Sequence, residues 1–100
     1  MATYGKARVD TIAALRNMQP FKRSGFGMYA IDGAVYEMGR LDEELVKSYR
    51  SETILYTVVS YATPIAWVTV KGDVVIPDDS YSRTTSTHQG MCRSYLAKRA

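Results

Sequence analysis

Two neighbouring runs of β-branched and aromatic residues constrain the fold of this chain more than any other feature. The runs are TILYTVVSY at positions 53–61 and PIAWVTV at positions 64–70. Val, Ile, Thr, Tyr and Trp favour extended strands, and the break at Ala62-Thr63-Pro64 is typical of a turn. The pattern predicts two adjacent antiparallel strands at the centre of a sheet.

The first run is apolar on both of its faces. Strict alternation would place Ile54, Tyr56 and Val58 on one face of the sheet. It would place Leu55, Val59 and Tyr61 on the other face. A strand with two apolar faces must be covered on both sides. We expect helices on one face, and on the other either curling of the sheet or a second copy of the chain.

Two further segments have helical patterns. VDTIAALRNMQP at positions 9–20 has periodic apolar residues, Asp10 as a candidate N-cap and Pro20 as a stop. GRLDEELVKSYRS at positions 39–51 places acidic residues before basic ones, as the helix dipole favours. The second segment predicts either one or two helical turns or a polar connection.

Two glycine-containing dipeptides predict turns between strands. Asp32-Gly33 joins the two apolar halves of MYAIDGAVYEM, at positions 28–38, and readily adopts the positive φ angles of a hairpin turn. Lys71-Gly72 predicts a tight reversal into DVVIP, which Pro77 ends.

The C-terminal region predicts a helix with a buried face. Ser86 and Gln89 match the spacing of a capping box, which would start the helix at Ser86 or Thr87. Spacings of three and four then place on one face His88, Met91, Cys92 and Tyr95.

These elements predict an α+β fold: an antiparallel sheet of four to five strands, with a short N-terminal helix and a C-terminal helix on one face. One hundred residues, of which 46% are apolar and 23% charged, suit a single domain spanning 1–100. No membrane-spanning run or secretory signal can be found, so we expect a cytoplasmic protein with no membrane association.

Charge is unevenly distributed. Residues 81–100 contain four Lys or Arg and no acid, whereas residues 51–80 contain one basic residue and four acids. A basic end can steer an anionic partner such as nucleic acid, or can simply favour solubility. Strong DNA-binding proteins make about six to ten phosphate contacts, so the charge alone does not assign this function.

The single histidine and the single cysteine limit the available chemistry. They allow no internal disulfide, they make a structural zinc site improbable, and no cofactor motif accompanies them. Cys92 on an apolar helix face would have a raised pKa, which disfavours a nucleophile. His88 could act as a general base towards nearby hydroxyls, or could be a structural histidine. An anion site at the helix start is a further alternative, formed by Arg83, Thr84, Thr85 and Ser86.

The block from Ser60 to Leu96 contains an ordered series of short motifs: Ser-Tyr-x-Thr-Pro-Ile-Ala-Trp-Val, then Ile-Pro-Asp, Tyr-Ser and Thr-Thr-Ser-x-His-Gln. Their residues are Ser60, Tyr61, Thr63, Pro64, Ile65, Ala66, Trp67, Pro77, Asp78, Tyr81, Ser82, Thr84, Thr85, Ser86, His88 and Gln89. In these motifs the block resembles small proteins encoded by actinobacteriophages and related prophages, which have Val-Pro-Asp as the second motif. The resemblance implies a phage accessory protein acting in the host cytoplasm, and implies no particular activity.

The sequence favours a non-catalytic binding protein that contacts a host protein or another copy of itself, as a homo-oligomer. The alternative is a nucleic-acid-binding protein that uses the basic C-terminal helix and adjacent tyrosines. An enzymatic function ranks third among these hypotheses and would require His88 to be accessible to solvent. No catalytic residue, metal ligand or cofactor is assigned. The predicted binding residues are Tyr61, Tyr81, Arg83, Thr84, Thr85, Ser86, His88 and Arg93.

Overall fold

A five-stranded antiparallel sheet forms the centre of the protein, as seen in a computed structural model that describes residues 12–23, 27–77 and 83–96. The strands follow one another in space in the order of the sequence. They are β1 (Phe21–Arg23), β2 (Met28–Asp32), β3 (Ile54–Ser60), β4 (Thr63–Thr69) and β5 (Val74–Val75). The predicted α+β class and antiparallel sheet are confirmed. The β-branched and aromatic runs at positions 53–61 and 64–70 form β3 and β4.

Three helical segments flank the sheet in the described residues. They are α1 (residues 12–16), α2 (Glu43–Ser51) and α3 (Arg83–Met91), which continues into a π-helical turn, Cys92–Leu96. None of these segments is long and apolar enough to cross a membrane. Asp42 caps α2, because its carboxylate accepts a hydrogen bond from the Glu44 amide at 3.0 Å. Asp10, the predicted cap of the first helix, lies outside the described residues.

The helix α3 begins three residues earlier than predicted, at Arg83. Ser86 is therefore an exposed residue inside the helix, and Gln89 is buried. The Gln89 side chain donates to the Pro77 carbonyl at 2.9 Å and ties α3 to the segment after β5. The capping-box prediction is wrong, whereas the predicted buried face is confirmed for His88, Met91 and Cys92.

Each face of the sheet is covered by helices of the chain itself. On the first face, Leu15 of the α1 helix shares a core with Met91 and Cys92 at the end of α3. This confirms that the N-terminal and C-terminal helices pack on the same side. On the second face, Tyr49 of α2 packs against Trp67 with ring centroids 4.9 Å apart. The cover predicted as sheet curl or a second copy is supplied here by α2 and the residues before it.

A bulge changes the alternation at the start of β3. The β3–β4 register shifts between Ile54 and Tyr56, so Leu55 is an extra residue in the strand. Ile54 consequently packs with Trp67 on the second face, whereas Tyr56 and Val58 belong to the core on the first face. The prediction that these three residues share one face is wrong for Ile54.

The predicted hairpin at Asp32-Gly33 does not form. Gly33 has a positive φ of 85°, but residues 34–42 form an irregular connection instead of a strand. The two neighbours of β2 are β1 and β3, so a partner strand immediately after Gly33 has no free edge beside it. The other predicted reversal is confirmed, since the turn at Lys71-Gly72 joins β4 to β5.

Candidate functional site

The turn between β3 and β4 presents an exposed aromatic side chain on an unusual backbone. Ser60 pairs with Thr63, which leaves Tyr61 and Ala62 as a two-residue connection. Tyr61 has a φ of 59°, in the left-handed region, and 60% of its surface is exposed. A bulky residue seldom adopts this backbone conformation, because its Cβ crowds the neighbouring carbonyl. We call Gly27, Tyr61 and Ala62 the hairpin tip.

Gly27, the residue immediately before β2, supports the Tyr61 conformation. The Tyr61 amide donates a hydrogen bond to the Gly27 carbonyl. Gly27 itself has a φ of 75°, and a Cβ added there would overlap the Tyr61 ring. Glycine is required at this position both for its backbone conformation and for the close approach of the ring.

A buried polar cluster lies directly behind the hairpin tip. Ser60 Oγ is 2.7 Å from His88 Nδ1 and 3.1 Å from Thr85 Oγ1, both within hydrogen-bonding distance. All three residues are buried, and the His88 side chain has no exposed surface. The centroids of the Tyr61 and His88 rings are 6.3 Å apart. The cluster therefore joins the end of β3 to the first turns of α3.

The enclosure of His88 determines what this cluster can do chemically. A general base must come within hydrogen-bonding distance of a substrate proton. The hydrogen-bonding partner of His88 Nδ1 is Ser60, which is 1% exposed and equally enclosed by the protein. In this structure the imidazole offers no surface to a substrate, so the geometry favours a structural role in holding α3 against the sheet.

Cys92 is also enclosed, in the core between α3 and the sheet. Burial raises the pKa of its thiol to about 12, with a smaller opposing effect from Arg93. A thiol with this pKa stays protonated at neutral pH and is a poor nucleophile. Among the described residues, no group of three His, Cys, Asp or Glu side chains is placed to hold a metal ion.

The predicted binding residues are divided between surface and interior. Tyr61, Ser86 and Arg93 are exposed, whereas Thr85 and His88 are buried. The backbone of Arg83 and Thr84 forms the start of α3, and their side chains lie outside what the structure describes, as does the whole of Tyr81. The structure thus brings Tyr61, Thr85 and His88 together, with only Tyr61 facing solvent.

Sequence reasoning did not identify Gly27 as a part of the site. Its contact with Tyr61 depends on the pairing of β2 with β3, which sets Met28 opposite Ser60. A glycine four residues after the basic pair Lys22-Arg23 gives no local signal of that contact. Ser60 belonged to the recognised block, but its bond to His88 spans 28 residues and follows only from the packing of α3.

The fold and the site together define a small α+β protein with a five-stranded meander and a tyrosine-bearing hairpin tip. Residues 4–94 match a family of unknown function, DUF8033, and the chain belongs to this family. The matched region contains every described strand and the complete hairpin tip. Neither the search of curated proteins nor that of solved structures found a match.

Proposed function

We propose that this protein is a non-catalytic binding protein that contacts its partner through the hairpin tip. The observation that carries the proposal is Tyr61, a large aromatic side chain that is 60% exposed while held in the left-handed backbone region. Unfavourable backbone conformations concentrate at ligand contacts and active sites. Tyrosine is also enriched among the residues that dominate binding energy, since it offers a large contact area with few rotatable bonds.

The partner that we favour is a host protein, with a second copy of the chain as the other protein candidate. The resemblance of the Ser60–Leu96 block to actinobacteriophage proteins supports an accessory role in the cytoplasm of an actinobacterial host. The buried state of His88 supports binding rather than catalysis, because the one imidazole of the chain lacks access to a substrate.

Nucleic acid is the second candidate partner. The segment Arg83–Leu96 contains two arginines and no acid, and Arg93 is exposed on it. The Arg16 guanidinium lies 5.3 Å from the centre of the Tyr95 ring, which adds a positive charge from α1 beside the π-helical turn. Phosphate contacts would make the affinity fall steeply as the salt concentration rises, whereas an apolar protein contact would change little.

The test is a pull-down of tagged protein from actinobacterial lysate, with and without nuclease, followed by identification of the retained proteins. Tyr61→Ala is compared with Tyr36→Ala, which removes another exposed tyrosine, one that lies beside Arg50 of α2. We expect capture of a defined host protein that persists after nuclease treatment. This capture should be lost with Tyr61→Ala and retained with Tyr36→Ala. Loss of all captured protein after nuclease would favour nucleic acid, and equal capture by both variants would contradict the role of Tyr61.

A further inference from the structure

We propose that the buried cluster of Ser60, Thr85 and His88 positions Tyr61, so that its ring is already oriented for the partner before binding. This inference rests on the proposed function, since it concerns how the same side chain is presented. It assigns a positioning role to the three buried residues and to Gly27, and none of the four needs to touch the partner.

The backbone at Tyr61 is held by contacts with other parts of the fold. A tyrosine in the left-handed region is disfavoured and persists only where its surroundings fix it. The residue before it, Ser60, is fixed by hydrogen bonds with two side chains of α3. The Tyr61 amide is fixed in turn by the Gly27 carbonyl. The backbone on the N-terminal side of the unusual φ angle is therefore attached to the rest of the fold at two neighbouring points.

The Tyr61 ring lies close to both Gly27 and His88. The absence of a side chain at Gly27 leaves the space that the Tyr61 ring occupies. The His88 ring lies behind it, with an angle of 34° between the two ring planes. An aromatic side chain that is ordered before binding loses less conformational entropy when the complex forms. Holding the ring in place therefore contributes to affinity without any additional contact to the partner.

The chain provides a matched control in the same strand. Thr57 is also a buried hydroxyl residue of β3, and its Oγ1 lies 2.8 Å from the Tyr49 hydroxyl and 2.8 Å from the Gly33 carbonyl. These contacts involve α2 and the connection before it, and not the hairpin tip. Ser60→Ala and Thr57→Val each remove one buried hydroxyl, but only the first removes it from the cluster behind Tyr61.

The experiment combines NMR of the isolated protein with the pull-down described above. Nuclear Overhauser effects from the Tyr61 ring to Gly27 and to His88 report the ring position, and thermal unfolding reports stability. For Ser60→Ala we expect these Overhauser effects to be lost and capture of the partner to fall several-fold. For Thr57→Val we expect the Overhauser effects and the capture of the partner to be unchanged, although the protein unfolds at a lower temperature. Thr85→Val, which removes only one hydroxyl contact of Ser60, is the substitute if Ser60→Ala does not fold.

Three results would overturn the inference. The first is an unchanged set of Overhauser effects in Ser60→Ala, and the second is their loss without reduced capture. The third is an equal loss of capture in Ser60→Ala and Thr57→Val, which would reflect general destabilisation. The proposed function is judged separately, from capture by the unmodified protein and by Tyr61→Ala, so failure of one proposal is distinguishable from failure of the other.

Discussion

Trp67 is the largest fully buried side chain of the described residues, and it lies at the centre of the second core. Its ring meets the Tyr49 ring at an angle of 84°, the edge-to-face geometry that aromatic pairs prefer. Trp67→Ala should lower the free energy of unfolding by about 3 to 5 kcal/mol, through lost burial and the cavity that remains. Urea denaturation measures this change. A variant with nearly unchanged stability would contradict the burial of the indole.

The Cys92 thiol should make the free energy of unfolding depend on pH in the alkaline range. Burial raises its pKa from 9.0 to about 12, so the folded state keeps a proton that the unfolded chain releases. The stabilisation is complete below pH 9 and should decrease by about 1.4 kcal/mol per pH unit as the pH rises above that value.

Urea denaturation at several pH values between 8 and about 10.5 tests this dependence. Cys92→Ala is the control, because it lacks the thiol but keeps the other titratable groups. These include Tyr56, whose pKa is raised mainly by burial and to a smaller extent by Cys92 itself. We expect the stability of the unmodified protein to fall more steeply with pH than that of Cys92→Ala. Parallel pH profiles for the two proteins would show that the thiol titrates normally.

At the scale of single elements, Asp42 is the N-cap of α2, whereas Ser86, the predicted N-cap of α3, lies inside that helix. Asp42→Ala should lower the free energy of unfolding by about 1 kcal/mol, because the amide of Glu44 loses its acceptor. Ser86→Ala should change it by less than about 0.5 kcal/mol, since Ser86 is exposed within α3. Chemical denaturation of the two variants side by side checks the assignment, which a reversed order would contradict.

The connection between β2 and α2 passes very close to the β3–β4 turn. A Cβ at Gly39 would collide with the Ala62 backbone, and the Arg40 amide donates to Thr63 Oγ1 at 2.9 Å. Gly33 also has a positive φ, but a Cβ there would meet no atom within 4 Å.

Gly39→Ala should therefore be more destabilising than Gly33→Ala. Both variants introduce backbone strain of roughly 1 to 3 kcal/mol, and the Gly39 variant must in addition displace a backbone segment. Thermal unfolding of both variants measures the difference. Equal destabilisation would mean that the connection is less closely packed against the turn than the structure indicates.

The elements that could be predicted are those with strong local patterns. The β-branched content of β3 and β4 was sufficient to locate these strands. The charge order of α2 indicated a helix but left a polar connection as the alternative, and the structure has a helix there. The start of α3 was missed, because a capping-box spacing also occurs by chance inside a helix that begins earlier. The Asp32-Gly33 hairpin was predicted wrongly, because strand pairing, which is not local, decides whether a turn dipeptide is followed by a strand.

A series of hydrogen bonds fixes the course of the backbone after Gly33. The Thr57 hydroxyl donates to the Gly33 carbonyl, so it must accept from the Tyr49 hydroxyl, which accepts in turn from the Val35 amide. Each polar group in this series has a hydrogen-bond partner, as buried polar groups require. No sequence spacing indicates that residues of α2, β3 and the connection meet at this point.

At the scale of the whole molecule, the two helical layers have different charge. On the first face, the described segments 12–20 and 83–96 contain three arginines and no acid. On the second face, residues 34–52 contain five acids and three bases. This separation refines the uneven charge seen along the sequence, because it assigns opposite signs to opposite faces of one sheet. It also indicates which face an anionic partner would approach.

The candidate site follows from the whole fold and not from one motif. The recognised block contains Ser60, Tyr61, Thr85 and His88, so the sequence could identify most of its residues. It could not divide them into one exposed tyrosine and three buried polar residues, because that division depends on α3 packing over the end of β3. Gly27 lies outside the block and enters the site through strand pairing alone.

The most direct measurement is photocrosslinking in actinobacterial cells with a benzoylphenylalanine residue at position 61, and in a separate variant at position 36. Both positions hold exposed tyrosines, at 60% and 91%, but only the first belongs to the hairpin tip. We expect one defined protein adduct from position 61, resistant to nuclease, and no such adduct from position 36. The same adducts from both positions, or none from position 61, would contradict the claim that Tyr61 contacts the partner.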